Sequence, residues 1–186
     1  MSRFGTSVSL AFAVLFVVGC AQQSDPGADA VEVAAPESEA TNVIVQLEPK
    51  SDSGVTGTAS FMQQDGEVML HIEIENAPPG EHAFHIHEFG DCSSADGKSA
   101  GGHWNPTEMD HGSWGADAHH FGDVGNILIA EDGTGTFDMT TAVWSIGGGE
   151  PNDILGKSVI LHAGVDDFTT QPTGAAGGRI ACGVIE

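Results

Sequence analysis

The alternation of polar and apolar residues over 67–75 is the feature that most constrains the fold of this chain. Its apolar positions recur at every second residue, as Val68, Leu70, Ile72 and Ile74. Because successive side chains of a strand point to opposite faces, this spacing predicts a β-strand with one buried face. No segment of useful length shows helical spacing, so the pattern favours an all-β fold.

Further short apolar runs predict the other strands, at 42–47, 55–61, 81–88, 126–130, 135–139, 158–161 and 179–185. Turn residues such as Glu131-Asp132-Gly133 separate these runs. Many short strands with glycine-rich turns are typical of a β-sandwich or barrel. The segment 92–125 is different, because it is long, polar and rich in glycine and histidine. Loops of that length inside a compact domain are usually functional.

The first twenty residues are typical of an export signal. They contain no acid and one base, Arg3, followed by an apolar run over 8–18 that is too short to span a ~30 Å hydrocarbon core. The run ends in Val17-Val18-Gly19-Cys20, which resembles a bacterial lipobox whose cysteine becomes the lipidated N-terminus. Ordinary cleavage after Ala21 is the alternative. We expect 1–20 to be a lipoprotein-type signal peptide and the protein to be periplasmic, anchored through Cys20 to the outer or cytoplasmic membrane.

Residues 21–41 contain five acids, two prolines and no aromatic residue, a composition that predicts a flexible acidic tether before a folded domain at 42–186. The whole chain has 5 basic and 27 acidic residues, a net charge of −22. Such a chain is repelled by nucleic acid and by anionic membrane surfaces. We therefore expect no nucleic-acid partner, and membrane contact only through the lipid anchor.

The positions of the histidines indicate metal binding. His85 and His87 share one face of a predicted strand, so both imidazoles can reach one metal. The long loop and the residue after strand 158–161 complete the candidate ligand set, which is His85, His87, His103, His111, His120, Asp123 and His162. Imidazole suits copper and zinc, and one carboxylate among imidazoles is compatible with zinc. Seven ligands are too many for one metal, so two neighbouring metals are expected.

Five sequence blocks, in this order, carry a resemblance to a known family: His82-Ala83-Phe84-His85-Ile86-His87-Glu88-Phe89-Gly90-Asp91-Cys92, Gly101-Gly102-His103-Trp104-Asn105-Pro106, His120-Phe121-Gly122-Asp123-Val124-Gly125-Asn126, Leu161-His162-Ala163-Gly164 and Gly178-Arg179-Ile180-Ala181-Cys182-Gly183. They resemble the copper/zinc superoxide dismutases of the exported bacterial type. The resemblance implies an eight-stranded antiparallel Greek-key sandwich or flattened barrel with a long metal-binding loop.

The resemblance also implies a role for each site residue, with one copper and one zinc per subunit. The implied copper ligands are His85, His87, His103 and His162. The implied zinc ligands are His103, His111, His120 and Asp123, so that His103 bridges the two metals. Asp166 is expected to link His85 to His111 by hydrogen bonds, and Arg179 to dock the superoxide anion. Arg179 and His103 are the predicted catalytic residues.

Of the three cysteines, Cys20 belongs to the signal, and the resemblance implies a disulfide between Cys92 and Cys182. Two free thiols in an exported chain are the alternative. The remaining histidines have non-ligand roles. We expect His71 on the polar face of its strand and His119 in solvent, and the resemblance makes His82 structural.

The implied function is conversion of superoxide to O₂ and hydrogen peroxide by Cu(II)/Cu(I) cycling, protecting the cell envelope from oxidative damage. A non-catalytic periplasmic copper-binding or copper-delivery protein of the same fold is an alternative. A zinc hydrolase is a second one, but it would leave the paired histidines of 84–87 unexplained. A monomer and a homodimer both remain open.

Overall fold

The computed structural model describes residues 40–186, which form an all-β domain of eight strands. The strands are β1 (Thr41–Pro49), β2 (Thr56–Gln64), β3 (Glu67–Glu75), β4 (Gly80–His87), β5 (Asp123–Ile129), β6 (Gly135–Thr141), β7 (Ser158–His162) and β8 (Arg179–Val184). The predicted signal peptide, Cys20 and the tether up to residue 39 lie outside the described residues. Within residues 40–186, no helix is long and apolar enough to cross a membrane.

The strands form one antiparallel sheet in the order β5-β4-β7-β8-β1-β2-β3-β6. Its two end strands, β5 and β6, approach each other, so the sheet curls into a nearly closed barrel. The connections from β3 to β4 and from β6 to β7 join strands that are not neighbours, as Greek-key connections do. The predicted all-β barrel is confirmed.

The strand predicted from alternation is β3, and its bounds match the prediction. It pairs with β2 on one side and β6 on the other, and its four apolar side chains are buried in the barrel core. Phe61 of β2 packs edge-on against Trp144 in the same core, with ring centroids 6.2 Å apart. The polar face of β3 remains exposed, as alternation requires.

Strand β4 does not have one buried and one exposed face, because its residues 82–87 are all buried. Phe84 and Ile86 face the barrel core. His85 and His87 alternate with them and therefore lie on the outer face, where they contact Asp166 and Gly101 of two loops. The candidate site is consequently formed between the outer face of the barrel and the loops that cover it.

The loop between β4 and β5 is fixed to β8 by the disulfide between Cys92 and Cys182, as the resemblance implied. A small apolar cluster of Ala100, Ile160 and Cys182 packs beside it. The loop also contains a short 3₁₀ helix at Lys98–Ala100, which the sequence analysis did not predict. It ends earlier than expected because β5 begins at Asp123, three residues before the predicted strand.

Candidate metal centre

Three ligand-bearing segments are joined by a closed ring of main-chain hydrogen bonds. The Ile86 amide donates to the Gly122 carbonyl (2.9 Å), Gly122 to Trp104 (3.0 Å), and Trp104 to Ile86 (2.9 Å). Each of these residues is within two positions of a candidate ligand. A side chain at position 122 would overlap the Ile86 carbonyl oxygen, so glycine is required there. Backbone pairing therefore brings the β4 histidines to the ligands of the long loop.

The first cluster is formed by His85, His87, His103 and His162, all of them buried. One nitrogen from each ring lies within 4.8 Å of one nitrogen of every other ring. His87 Nε2 and His162 Nε2 are 3.3 Å apart. Because β4 pairs with β7, these two neighbouring strands carry three of the four rings to one place on the barrel surface.

The outward nitrogen of each strand histidine has a fixed hydrogen-bond partner. His85 Nε2 contacts Asp166 Oδ2 at 2.8 Å, His87 Nδ1 the Gly101 carbonyl at 3.0 Å, and His162 Nδ1 the Gly177 carbonyl at 3.3 Å. Such acceptors place the proton on the outward nitrogen and leave the inward lone pair for a metal. The inward nitrogens are His85 Nδ1, His87 Nε2 and His162 Nε2.

The second cluster is formed by His103, His111, His120 and Asp123, also buried. Asp123 Oδ1 lies 2.8 Å from His103 Nδ1, 3.0 Å from His111 Nδ1 and 3.2 Å from His120 Nδ1. Its other oxygen accepts the amides of Gly112 (3.1 Å) and His120 (2.8 Å). Three imidazole nitrogens and one carboxylate oxygen are a donor set typical of zinc.

His103 belongs to both clusters, and Asp166 connects them a second time. Asp166 Oδ1 is 2.9 Å from His111 Nε2, while its other oxygen contacts His85. Asn126 holds the main chain of Asp166, because its side chain donates to the Asp166 carbonyl (3.0 Å) and accepts the Asp166 amide (2.8 Å). Asp166 therefore contacts both His85 and His111, as predicted.

Burial determines the protonation of the first cluster. Desolvation lowers the pKa of His85 and His103, the latter to about 4, although the hydrogen bonds that these rings donate to Asp166 and Asp123 act in the opposite direction. Desolvation, together with the neighbouring imidazoles, lowers the pKa of His87 and His162 well below the usual value. Neutral imidazoles at physiological pH are the form that binds metal.

In the second cluster, nearby carboxylates raise the pKa of a histidine, whereas burial lowers the pKa of the histidines in the first cluster. Burial works against protonation of His111, but the adjacent carboxylates of Asp123 and Asp166 raise its pKa to about 9. Burial likewise opposes ionisation of Asp123 and Asp166, yet their histidine partners hold both carboxyl pKa values well below the usual range. Ionised carboxylates can therefore balance a cation at this place.

The residues fit a pair of metal ions, because both clusters contain buried ring nitrogens that have no hydrogen-bond partner. His85 Nδ1, His103 Nε2 and His111 Nδ1 are buried side-chain nitrogens without a hydrogen bond. A buried polar atom without a partner is destabilising, and such atoms in native proteins call for a specific explanation. All three point into the two clusters, where metal coordination would satisfy them.

Arg179 is held beside the first cluster by two carbonyls. Its guanidinium donates to Gly97 (2.7 Å) and Gly101 (2.5 Å), and it pairs in register with His162. Its positive charge contributes to the lowered pKa of both His87 and His162, so it acts within electrostatic reach of the cluster. Because the Gly101 carbonyl also accepts His87, one loop residue positions both groups.

The three remaining histidines stay outside the clusters. The His71 side chain is 46% exposed and contacts Asp138 at 2.7 Å. His82 contacts the carbonyls of His162 (2.8 Å) and Pro78 (2.9 Å), consistent with the predicted structural role. His119 was expected in solvent, but it is half-buried because its ring packs against Trp114 with centroids 5.0 Å apart.

Several residues that position the site were missed by the sequence analysis. They are Glu88, whose carboxylate accepts the Gly102 amide (2.9 Å), the carbonyl of Gly101, Asn126 and Gln171. Most of these contacts involve main-chain groups or connect residues distant in sequence, and neither periodicity nor residue type indicates them. Glu88, Gly101 and Asn126 lie within the quoted blocks, but their roles depend on contacts that form only in the folded protein.

An antiparallel barrel with two histidine clusters that share one imidazole defines a class of protein built to hold two neighbouring metals. Residues 55–185 match the family described as copper/zinc superoxide dismutase (SODC). The match covers well over half of the chain, so this protein belongs to the copper/zinc superoxide dismutase family.

The chain is also similar to a solved structure titled "Crystal Structure Analysis of the clock protein EA4". The two sequences are 38% identical, with a TM-score of 0.69. The similarity covers 77% of this chain and 92% of that chain. This neighbour supports the fold, and its title names it as a clock protein.

Proposed function

We propose that this protein is a superoxide dismutase, which converts two superoxide anions and two protons to O₂ and hydrogen peroxide. The observation that carries the proposal is the shared His103. This residue belongs both to the cluster of four imidazoles and to the cluster of three imidazoles and one carboxylate. The first cluster suits copper and the second zinc. Copper bound there would supply the one-electron oxidation and reduction that the reaction requires.

Arg179 is the residue proposed to dock the substrate. Its guanidinium is partly buried and fixed by two carbonyls, so it presents a positive charge without reorganising when an anion arrives. Desolvation lowers the pKa of Arg179 below its usual value, but an arginine remains charged at any physiological pH. An anion beside Arg179 would also lie next to the first cluster, which is on the outer face of the barrel.

His103 is the residue proposed to move a proton. Its Nδ1 is held toward Asp123, while its Nε2 lies buried in the first cluster without a hydrogen bond. That nitrogen can take up a proton and return it to the peroxide that forms. Asp123 keeps the ring oriented during the exchange, since its carboxylate is itself fixed by two main-chain amides.

A non-catalytic copper-binding or copper-delivery role is the second candidate, and the clock-protein title of the structural neighbour is the observation that favours it. The complete ligand set and the oriented Arg179 favour the enzyme, because copper storage alone needs neither a shared imidazole nor a docking cation.

The test is to load purified protein with both metals and measure superoxide removal together with metal content. In the His162→Gln variant we expect copper and activity to be lost while zinc is retained, since His162 belongs to the first cluster alone. His71→Gln is the matched control, because this histidine lies on the exposed face of β3. Negligible superoxide removal by protein that holds both metals would instead support copper delivery.

The proposed cellular place is the periplasm, with a lipid on Cys20 as the anchor, and this is supported only by the sequence of residues 1–20. Mass spectrometry of the mature N-terminus tests it. A lipidated Cys20 supports the anchor, whereas a chain that begins at Gln22 indicates ordinary cleavage and release.

A further inference from the structure

The loop that connects β7 to β8 meets His111 through the side chain of Gln171. Gln171 Oε1 accepts the His111 amide at 2.8 Å, and Gln171 Nε2 donates to the His111 carbonyl at 2.9 Å. One side-chain amide thus satisfies both main-chain polar groups of His111, as a neighbouring strand would do. The two residues are 60 positions apart in sequence.

Apart from the amide of the following residue, Gly112, which donates to Asp123 Oδ2 at 3.1 Å, little else fixes the backbone at His111. It lies in the stretch 105–119, which contains no strand or helix. Within residues 40–186, no hydrogen bond other than those from Gln171 reaches its amide or its carbonyl. Its ring is held separately, because His111 Nε2 contacts Asp166 Oδ1 at 2.9 Å. The ring and the backbone therefore have different partners.

The atom of His111 that faces the second cluster is Nδ1, which is buried and lies 3.0 Å from Asp123 Oδ1. Nδ1 is the ring nitrogen nearer the backbone, separated from Cα by only Cβ and Cγ. Its place is consequently set by the position of Cα and by two side-chain torsions. Asp166 restrains the torsions, and Gln171 restrains Cα.

We propose that Gln171 is a positioning residue for zinc, which holds the main chain of His111 so that Nδ1 points into the second cluster. The inference rests on the zinc role given to that cluster in the proposed function. Gln171 touches no candidate ligand atom, so its effect passes through His111. It is independent of Asp166, because the two residues hold different parts of the same ligand.

The test measures the zinc affinity of the full chain by competition with a chelator, for the parent and two variants. Gln171→Ala removes the clamp, and Gln171→Met removes it while keeping the side-chain length. We expect both to weaken zinc binding about tenfold or more, the range found when partners of metal ligands are removed. Gln64→Ala is the matched control, because Gln64 is an exposed glutamine at the end of β2.

Two further readouts separate positioning from a general loss of structure. Cobalt bound in place of zinc should show an altered visible spectrum in both Gln171 variants and an unchanged one in the control. The His111 amide should exchange its hydrogen faster in the variants, while amides of β3 keep their protection. A uniform rise in exchange across the barrel would overturn the inference.

The possible failures are distinguishable. Zinc affinity within twofold of the parent in both Gln171 variants overturns the inference and leaves the proposed function intact. A parent protein that binds no zinc overturns the zinc assignment, and the inference with it.

Discussion

Replacing Gly174 with alanine should destabilise the metal-free protein far more than an ordinary glycine substitution. Gly174 has φ +62°, and a Cβ placed on it would overlap Asp166 Oδ1 and lie 2.6 Å from His111 Nε2. The backbone conformation alone costs an alanine about 1–2 kcal/mol. The overlap adds a second cost, because the carboxylate has to move away from its partners.

The size of that second cost follows from the bonds that Asp166 Oδ1 makes. This oxygen accepts the Phe168 amide at 2.7 Å and contacts His111 Nε2 at 2.9 Å. Hydrogen bonds to a charged group contribute about 1.5–3 kcal/mol each. Loss of both should therefore lower the free energy of unfolding by about 3–6 kcal/mol beyond the backbone strain.

Gly54→Ala is the control that isolates the strain. Gly54 has φ +74°, close to that of Gly174, but nothing lies within 4 Å of a Cβ built on it. Urea unfolding of both metal-free variants gives the comparison. If they lose the same free energy of unfolding to within about 0.5 kcal/mol, the contact with Asp166 has no energetic weight and the argument fails.

Three other predictions follow from the charges and cross-links. The double variant Cys92→Ser/Cys182→Ser opens a cross-link with a sequence separation of 90, so urea unfolding should show a loss of up to about 4–5 kcal/mol; a loss below about 1 kcal/mol would contradict it. Burial lowers the pKa of His103 to about 4, so between pH 6.5 and 4 the unfolded chain binds a proton that the folded chain does not. The free energy of unfolding of the metal-free protein should therefore decrease as the pH falls through that window, by about 3 kcal/mol from His103 alone. A urea midpoint that does not change between pH 6.5 and 4 would refute this. Superoxide removal should hold steady or rise from about 10 to 150 mM salt, because screening weakens the remote acids first; a steep fall in rate would contradict it.

The barrel was predictable because its strands carry a period of two. Alternation over 67–75 gave β3 with its observed bounds, since one face of that strand contacts the core and the other contacts water. The same reasoning is weaker for β4, where both faces are covered and every residue from 82 to 87 is buried. There the pair His85 and His87 was informative, because residues two apart share a face.

The candidate ligands were predictable from residue type and order, whereas the groups that orient them were not. The Gly101 carbonyl accepts both His87 and Arg179, and any residue carries a carbonyl, so the sequence has no sign of it. Gln171 is an exposed polar residue in a loop, which composition alone makes unremarkable. Its role depends on a contact across 60 residues that only folding creates.

The distribution of charge reconciles an acidic chain with the anionic substrate proposed for it. The described residues contain four bases, and three of them, Lys50, Lys98 and Arg179, converge on one loop. Gly97 lies against the side chains of Arg179 and Lys50, and it directly precedes Lys98. This loop also supplies the carbonyls that hold Arg179. Lys98 is paired with Asp96 at 3.0 Å, whereas the charge of Arg179 acts on His87 and His162 of the first cluster. At a screening length of about 8 Å, an anion near that cluster therefore responds to Arg179 more than to the total of −22. Net charge thus argues against polyanionic partners, while binding of the proposed anionic substrate depends on where the few cations lie.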